Sequence, residues 1–201
     1  MSEHPTTPSR APSLAARLIV AILLTLAAAA GWYAGQERRE PAADMPTNPA
    51  TSQLDRTVPA DFWHSRLTTT DGQTVTLGQW QGQALLVNYW ATWCPPCRAE
   101  MPELAAASRN FPGVRFVGIG IDSADNIRTF SQEQPQPYPL LIGGNDALPL
   151  SQQIGNRQGV LPFTVLISPQ GQIEQRQFGA LSAETLNQWL APYRAAPPTI
   201  R

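Results

Sequence analysis

Alternating strand and helix signatures from about residue 61 onward predict an α/β domain, with a central mixed β-sheet and helices on both faces. Three observations predict it. ALLVNYW (84–90) and VRFVGIGI (114–121) are near-continuous apolar runs, as strands buried on both faces require. Each is followed by a stretch of helical composition, PPCRAEMPELAAASRNF and ADNIRTFSQEQ. Near the C-terminus FTVLIS and QIEQRQF are joined by the turn PQG, which makes an antiparallel pair and so a mixed sheet.

Taken in order, residues 1–17 are polar and spotted with proline, a short N-terminus expected on the cytoplasmic side. Residues 18–36, LIVAILLTLAAAAGWYAGQ, carry no charge. Nineteen residues at helical rise span about 28 Å, close to the hydrocarbon core of a bilayer. Trp32 and Tyr33 close the segment, where amphipathic rings favour the interface. The segment reads as a single transmembrane anchor, or as a signal peptide cleaved after the small residues of AAAAG. Either reading exports the rest of the chain, to the periplasm or another extracytoplasmic space, with the anchor in the inner membrane. That space is oxidising. Residues 37–60 hold four prolines and little apolar content, which reads as a linker.

The domain is expected over 61–195, with 196–201 as a tail. SRLTTTDGQTVTL holds two β-rich runs around Asp71 and Gly72, an N-terminal hairpin extension of the sheet. YPLLIG reads as a short strand and ALPLSQQIG as a short helix ending at Gly155. SAETLNQWLAPY is a closing helix with Ser182 as its N-cap.

Composition removes several functions. Net charge is −1, with no basic block, so nothing favours nucleic acid. All 14 basic residues are Arg, which excludes a catalytic lysine. No cofactor is expected.

The chemistry concentrates in NYWATWCPPCRAEMPEL (88–104), which holds both cysteines of the chain, Cys94 and Cys97. A closed zinc site needs about four ligands. Beyond the pair the chain offers only His4 and His64, and His4 precedes the hydrophobic segment. No metal site is therefore expected. A four-residue ring constrains the unfolded chain by only about 2 kcal/mol, so a structural staple has little purpose. A redox pair fits the placement. Cys94 follows a buried strand and precedes a helix, where free N–H groups and the helix dipole stabilise a thiolate. Cys97, one turn on, can attack a mixed disulfide on Cys94 and release the product. Pro95 and Pro96 stiffen the loop between them. Glu100 shares a helix face with Cys97 at i+3, and a carboxylate beside a buried thiol can move its proton.

This segment resembles the active site of thioredoxin-like proteins, and more narrowly the exported, membrane-anchored TlpA/ResA/DsbE group of thiol–disulfide oxidoreductases. The resemblance covers roughly 61–193. Trp93 before the first cysteine, Pro102 five residues after the second, and Glu100 match that group. It implies a thioredoxin-like fold and a reductant of disulfides in exported partner proteins, recharged by a membrane electron-relay protein. GVLPFTVLISPQGQI resembles the strand with the cis-proline loop. By that likeness Pro162 is cis beside the disulfide, and the backbone of Leu161 pairs with an extended substrate. Trp93, Pro95, Pro96, Leu161 and Pro162 then line the substrate groove.

Two positions depart from the patterns. Asn88 stands where classical thioredoxins have a buried Asp, so titration there passes to Glu100 or water. Phe163 follows the cis-proline, where the cytochrome c maturation branch tends to have an acid. A cytochrome c maturation thiol reductase and a Cu(I)-handling chaperone are the alternatives, the second because thiolates suit Cu(I). Peroxidase chemistry of the peroxiredoxin type would call for a lone reactive cysteine in place of the pair. Asp122, after FVGIGI, is expected to cap the next helix, and His64 to lie at the surface.

Overall fold

The structure, a computed structural model, describes residues 56–194. The expected cytoplasmic segment 1–17, the anchor or signal segment 18–36, most of the linker and the tail 196–201 lie outside the described residues. Among the described residues no helix is long and apolar enough to cross a membrane.

The strands are β1 (Arg66–Thr69), β2 (Thr74–Thr76), β3 (Ala84–Trp90), β4 (Val114–Gly120), β5 (Leu140–Ile142), β6 (Phe163–Ile167) and β7 (Ile173–Phe178). They form one sheet in the order β2-β1-β5-β4-β3-β6-β7. β3 is central because it is apolar on both sides: all seven residues are buried. It pairs parallel with β4 and antiparallel with β6, so the sheet is mixed as expected. The β1–β2 hairpin extends the far edge through β5. Its turn uses Gly72 at φ +90°, a conformation that costs glycine little, and the hydroxyl of Thr69 donates to Asp71.

The α-helices are α1 (Ala60–His64), α2 (Pro95–Asn110), α3 (Ala124–Glu133), α4 (Ala147–Gln153) and α5 (Ala183–Leu190). The alternation of β3 divides the core between them. Ala84, Leu86 and Trp90 join α2, α3 and α5 on one face. Leu85, Val87 and Tyr89 join α1, α4 and the 3-10 turn Leu77–Trp80 on the other. A buried Leu or Phe contributes roughly 1.5–3 kcal/mol, so each layer is held by many such residues and not by one contact. α3 and α5 start at side-chain caps, Ser123 and Ser182, whose Oγ atoms accept the N–H groups of Asn126 and Thr185.

One boundary moves. The packed domain begins before residue 61. Val58 is buried, its N–H donates to the carbonyl of Gly171 at 3.0 Å, and Thr57 bridges Gln172. Phe62 and Trp63 of α1 enter the core. The end of the expected linker is thus part of the folded unit. Pro59 and the shortness of the apolar run made it read as linker.

Candidate active site

β3 delivers the chain to the C-terminal edge of the sheet, and the cysteine loop leaves from Trp90. Cys94 is the N-cap of α2, with Pro95 and Pro96 in the first turn. Its Sγ accepts the N–H of Cys97 at 3.3 Å. The two cysteines form a disulfide, with Cα atoms 5.3 Å apart. Cys94 is 4% exposed and Cys97 fully buried, so an approaching partner meets Cys94 first. Trp93 is 65% exposed, and Pro95 and Pro96 are also at the surface.

Thr92 and Asp122 brace this loop. The Thr92 hydroxyl donates to the Asp122 carboxylate, which also accepts from Ser123 N at 2.7 Å and Asn126 Nδ2 at 2.8 Å. The N-cap of α3 is Ser123 and not Asp122 as expected; Asp122, one residue earlier, instead ties the start of α3 to the approach of the cysteine loop. His64 is exposed, as expected.

Glu100 lies one turn beyond Cys97 and is 3% exposed. Asn88 Nδ2 donates to its Oε1 at 2.7 Å, and the N–H of Leu181 donates to its Oε2 at 2.7 Å. Asn88 Nδ2 also donates to Thr164 Oγ1 at 2.9 Å, its partner across β3 and β6. Burial disfavours the carboxylate and pushes Glu100 up from 4.5 to about 7; the N–H of Leu181 and the Asn88 amide pull the other way. Asn88 Oδ1 is buried without a partner. Thr164 and the backbone of Leu181 were not anticipated. Only the register of β6 against β3 brings Thr164 to Asn88, and only the turn before α5 brings Leu181 to Glu100.

The peptide bond between Leu161 and Pro162 is cis. β6 begins opposite Tyr89, so this peptide lies at the same end of the sheet as the cysteine loop. Pro162 is buried, its carbonyl accepts the N–H of Gly179 at 2.8 Å, and Leu161 packs against the cluster that contains both cysteines. Phe163 is buried and points its ring between Tyr89 and Phe178, at 6.0 and 5.1 Å. Among the described residues no group of three or more His, Cys, Asp and Glu could hold a metal ion. The arrangement sets a disulfide at a helix N-terminus and, one turn beyond Cys97 on the same helix, a buried carboxyl pushed up to about 7, a combination suited to thiol–disulfide exchange.

Comparison with known proteins agrees. The AhpC/TSA family model matches residues 58–176. The thiol:disulfide interchange protein DsbE of Escherichia coli K12 is 32% identical over 181 residues, covering 85% of this chain and 88% of that protein. The thiol-disulfide oxidoreductase ResA of Oceanobacillus iheyensis is 32% identical over 123 residues, 60% of this chain and 62% of ResA. A secreted Mycobacterium tuberculosis disulfide oxidoreductase homologous to E. coli DsbE shares the fold at a TM-score of 0.58 and 21% identity, over 67% of this chain and 99% of that one. The chain belongs to the AhpC/TSA family, among its thioredoxin-like thiol–disulfide oxidoreductases.

Proposed function

We propose that this thiol–disulfide oxidoreductase works outside the cytoplasm as a reductant of partner-protein disulfides, with Cys94 as nucleophile, Cys97 as resolving thiol and Glu100 as proton handler. The observation that carries the reading is the Cys94–Cys97 disulfide at the N-cap of α2, with only Cys94 reachable from solvent.

In the reduced protein the Cys94 thiolate is stabilised by the helix N-terminus, including the N–H of Cys97. It attacks one sulfur of a substrate disulfide. A mixed disulfide forms, and the other substrate sulfur leaves as thiolate. Cys97 then gives its proton to the Glu100 carboxylate and attacks the Cys94 sulfur. The second substrate thiolate leaves, and the Cys94–Cys97 disulfide closes. Two electrons pass from the protein dithiol to the substrate, and the two released thiolates take protons from Glu100 and water. A carboxyl held at about 7 is half ionised near neutral pH, so it can accept and return that proton in each cycle. The groove is read as Trp93, Pro95, Pro96, Leu161 and Pro162, with the backbone of Leu161 paired to an extended substrate.

Reduction of the closed disulfide takes two electrons from a dithiol outside the cytoplasm, for which a membrane electron relay is the proposed donor. The uncharged stretch 18–36 supports a membrane tether, and the likeness to a secreted oxidoreductase supports export. The reductive direction rests on the resemblance to the exported group. Replacing Cys94 with Ser tests the scheme: exchange with a protein disulfide should vanish while the fold persists, and retained exchange would contradict it.

A further inference from the structure

The nine residues between α4 and β6, IGNRQGVLP (154–162), end in the cis peptide. A polar side chain inside such a loop is costly unless its groups are paired. Asn156 is fully buried, and its amide is directed mainly at one residue. Oδ1 accepts the N–H of Val160 at 2.9 Å, and Nδ2 donates to the carbonyl of Val160 at 3.0 Å. This is the two-bond exchange that a neighbouring strand would make. The other amide hydrogen donates to Ser151 Oγ at 3.2 Å, and Ser151 Oγ donates to the carbonyl of Leu148 in α4 at 2.8 Å. The Asn156 backbone is fixed as well. Its N–H donates to Ser151 O, and its carbonyl accepts from Gly159, each at 3.0 Å. The clamp is therefore anchored on a helix.

Consecutive residues of an extended chain turn their backbone polar groups to opposite sides. Both groups of Val160 face inward to Asn156, and the carbonyl of Pro162 is taken by Gly179. Leu161 between them is partly exposed, and its N–H and C=O make no hydrogen bond among the described residues. One residue of strand-like edge is left to add an extended peptide.

We propose that Asn156 is a positioning residue, whose two-bond clamp on Val160 aims the backbone of Leu161 at the substrate and so favours protein disulfides over small ones. The inference rests on the functional reading above and adds the residue that shapes its groove. The test compares two substrates of the reduced full-length chain: insulin, which offers an extended segment to Leu161, and 5,5′-dithiobis(2-nitrobenzoate), which does not. In single turnovers, Asn156→Ala should lower the second-order rate constant for insulin about tenfold, mostly through weaker binding (a higher half-saturating concentration), and leave the small disulfide within roughly twofold. Hydrogen exchange should show the Val160 amide losing protection while the β6 amides keep theirs. Ser151→Ala, which removes one partner of the clamp and leaves Asn156 in place, should show the same selectivity at smaller size. A parallel loss on both substrates overturns the proposal, as does an unchanged insulin rate once Val160 has lost protection. A failure of the functional reading is distinguishable, because the unsubstituted chain would then exchange with neither disulfide.

Discussion

Glu100→Gln replaces a buried carboxyl by a neutral group of the same shape. In the folded protein the carboxyl ionises at about 7 because burial outweighs the two hydrogen bonds from Leu181 and Asn88; in the unfolded chain it ionises near 4.5. Below 4.5 both states are protonated, and the contribution of Glu100 to stability does not depend on pH. Between 4.5 and 7 the folded protein holds a proton that the unfolded chain has released, so stability falls as pH rises. Above 7 the loss is complete, at roughly 3 kcal/mol, of which about 2.5 kcal/mol falls between pH 5 and 8. Glutamine abolishes this slope. It also keeps only one acceptor for two donors, a loss of about 1–3 kcal/mol at every pH unless Asn88 turns its unpartnered Oδ1 to the new amide. The informative quantity is therefore the change with pH, and not the offset. Urea unfolding of the oxidised protein at pH 5 and 8 measures it. Relative to wild type, the variant should gain about 2.5 kcal/mol between the two, or about 1–2 M in midpoint. Its mixed-disulfide resolution at pH 7 should slow by about a hundredfold. Equal pH slopes for variant and wild type would refute the assignment of Glu100 as a buried, near-neutral carboxyl.

The partners of Glu100 and the packing behind the site give two more tests. Asn88→Ala removes the donor to Glu100 Oε1 and to Thr164 Oγ1, so it should destabilise by about 1–3 kcal/mol and move the Glu100 titration above 7, read from the same pH series. Gly120→Ala should cost about 1–3 kcal/mol in urea unfolding, because a Cβ there would sit 2.5 Å from Cδ1 of the fully buried Ile127.

The parts of this fold legible in the sequence are those set by local pattern. The apolar runs of β3 and β4 announce strands buried on both faces, and Ser182 marks the start of α5. The cysteine pair needs no register, because both sulfurs and Glu100 lie within the N-cap and first two turns of one helix. α1 was missed because five residues after a proline show no period. Long-range partners were not legible either. Thr164 reaches Asn88 only through the antiparallel register of β6, 76 residues away, and Leu181 reaches Glu100 across 81 residues. The substitution of Asn for a titrating residue at 88 was visible in the sequence, but its work was not: Asn88 holds the carboxyl that titrates. Asn156 in GNRQG carried no signal of its role, since burial and the clamp on Val160 appear only when the loop closes over α4.

The central claim is that Cys94 attacks and Cys97 resolves. Trapping with the full-length Cys97→Ser chain, expressed in its own host, tests it most directly. Mixed disulfides should accumulate on Cys94 with proteins from outside the cytoplasm, and should vanish when Cys94 is also replaced by Ser. No accumulation with Cys97→Ser, or equal accumulation with a Cys94→Ser chain that retains only Cys97, would contradict the account.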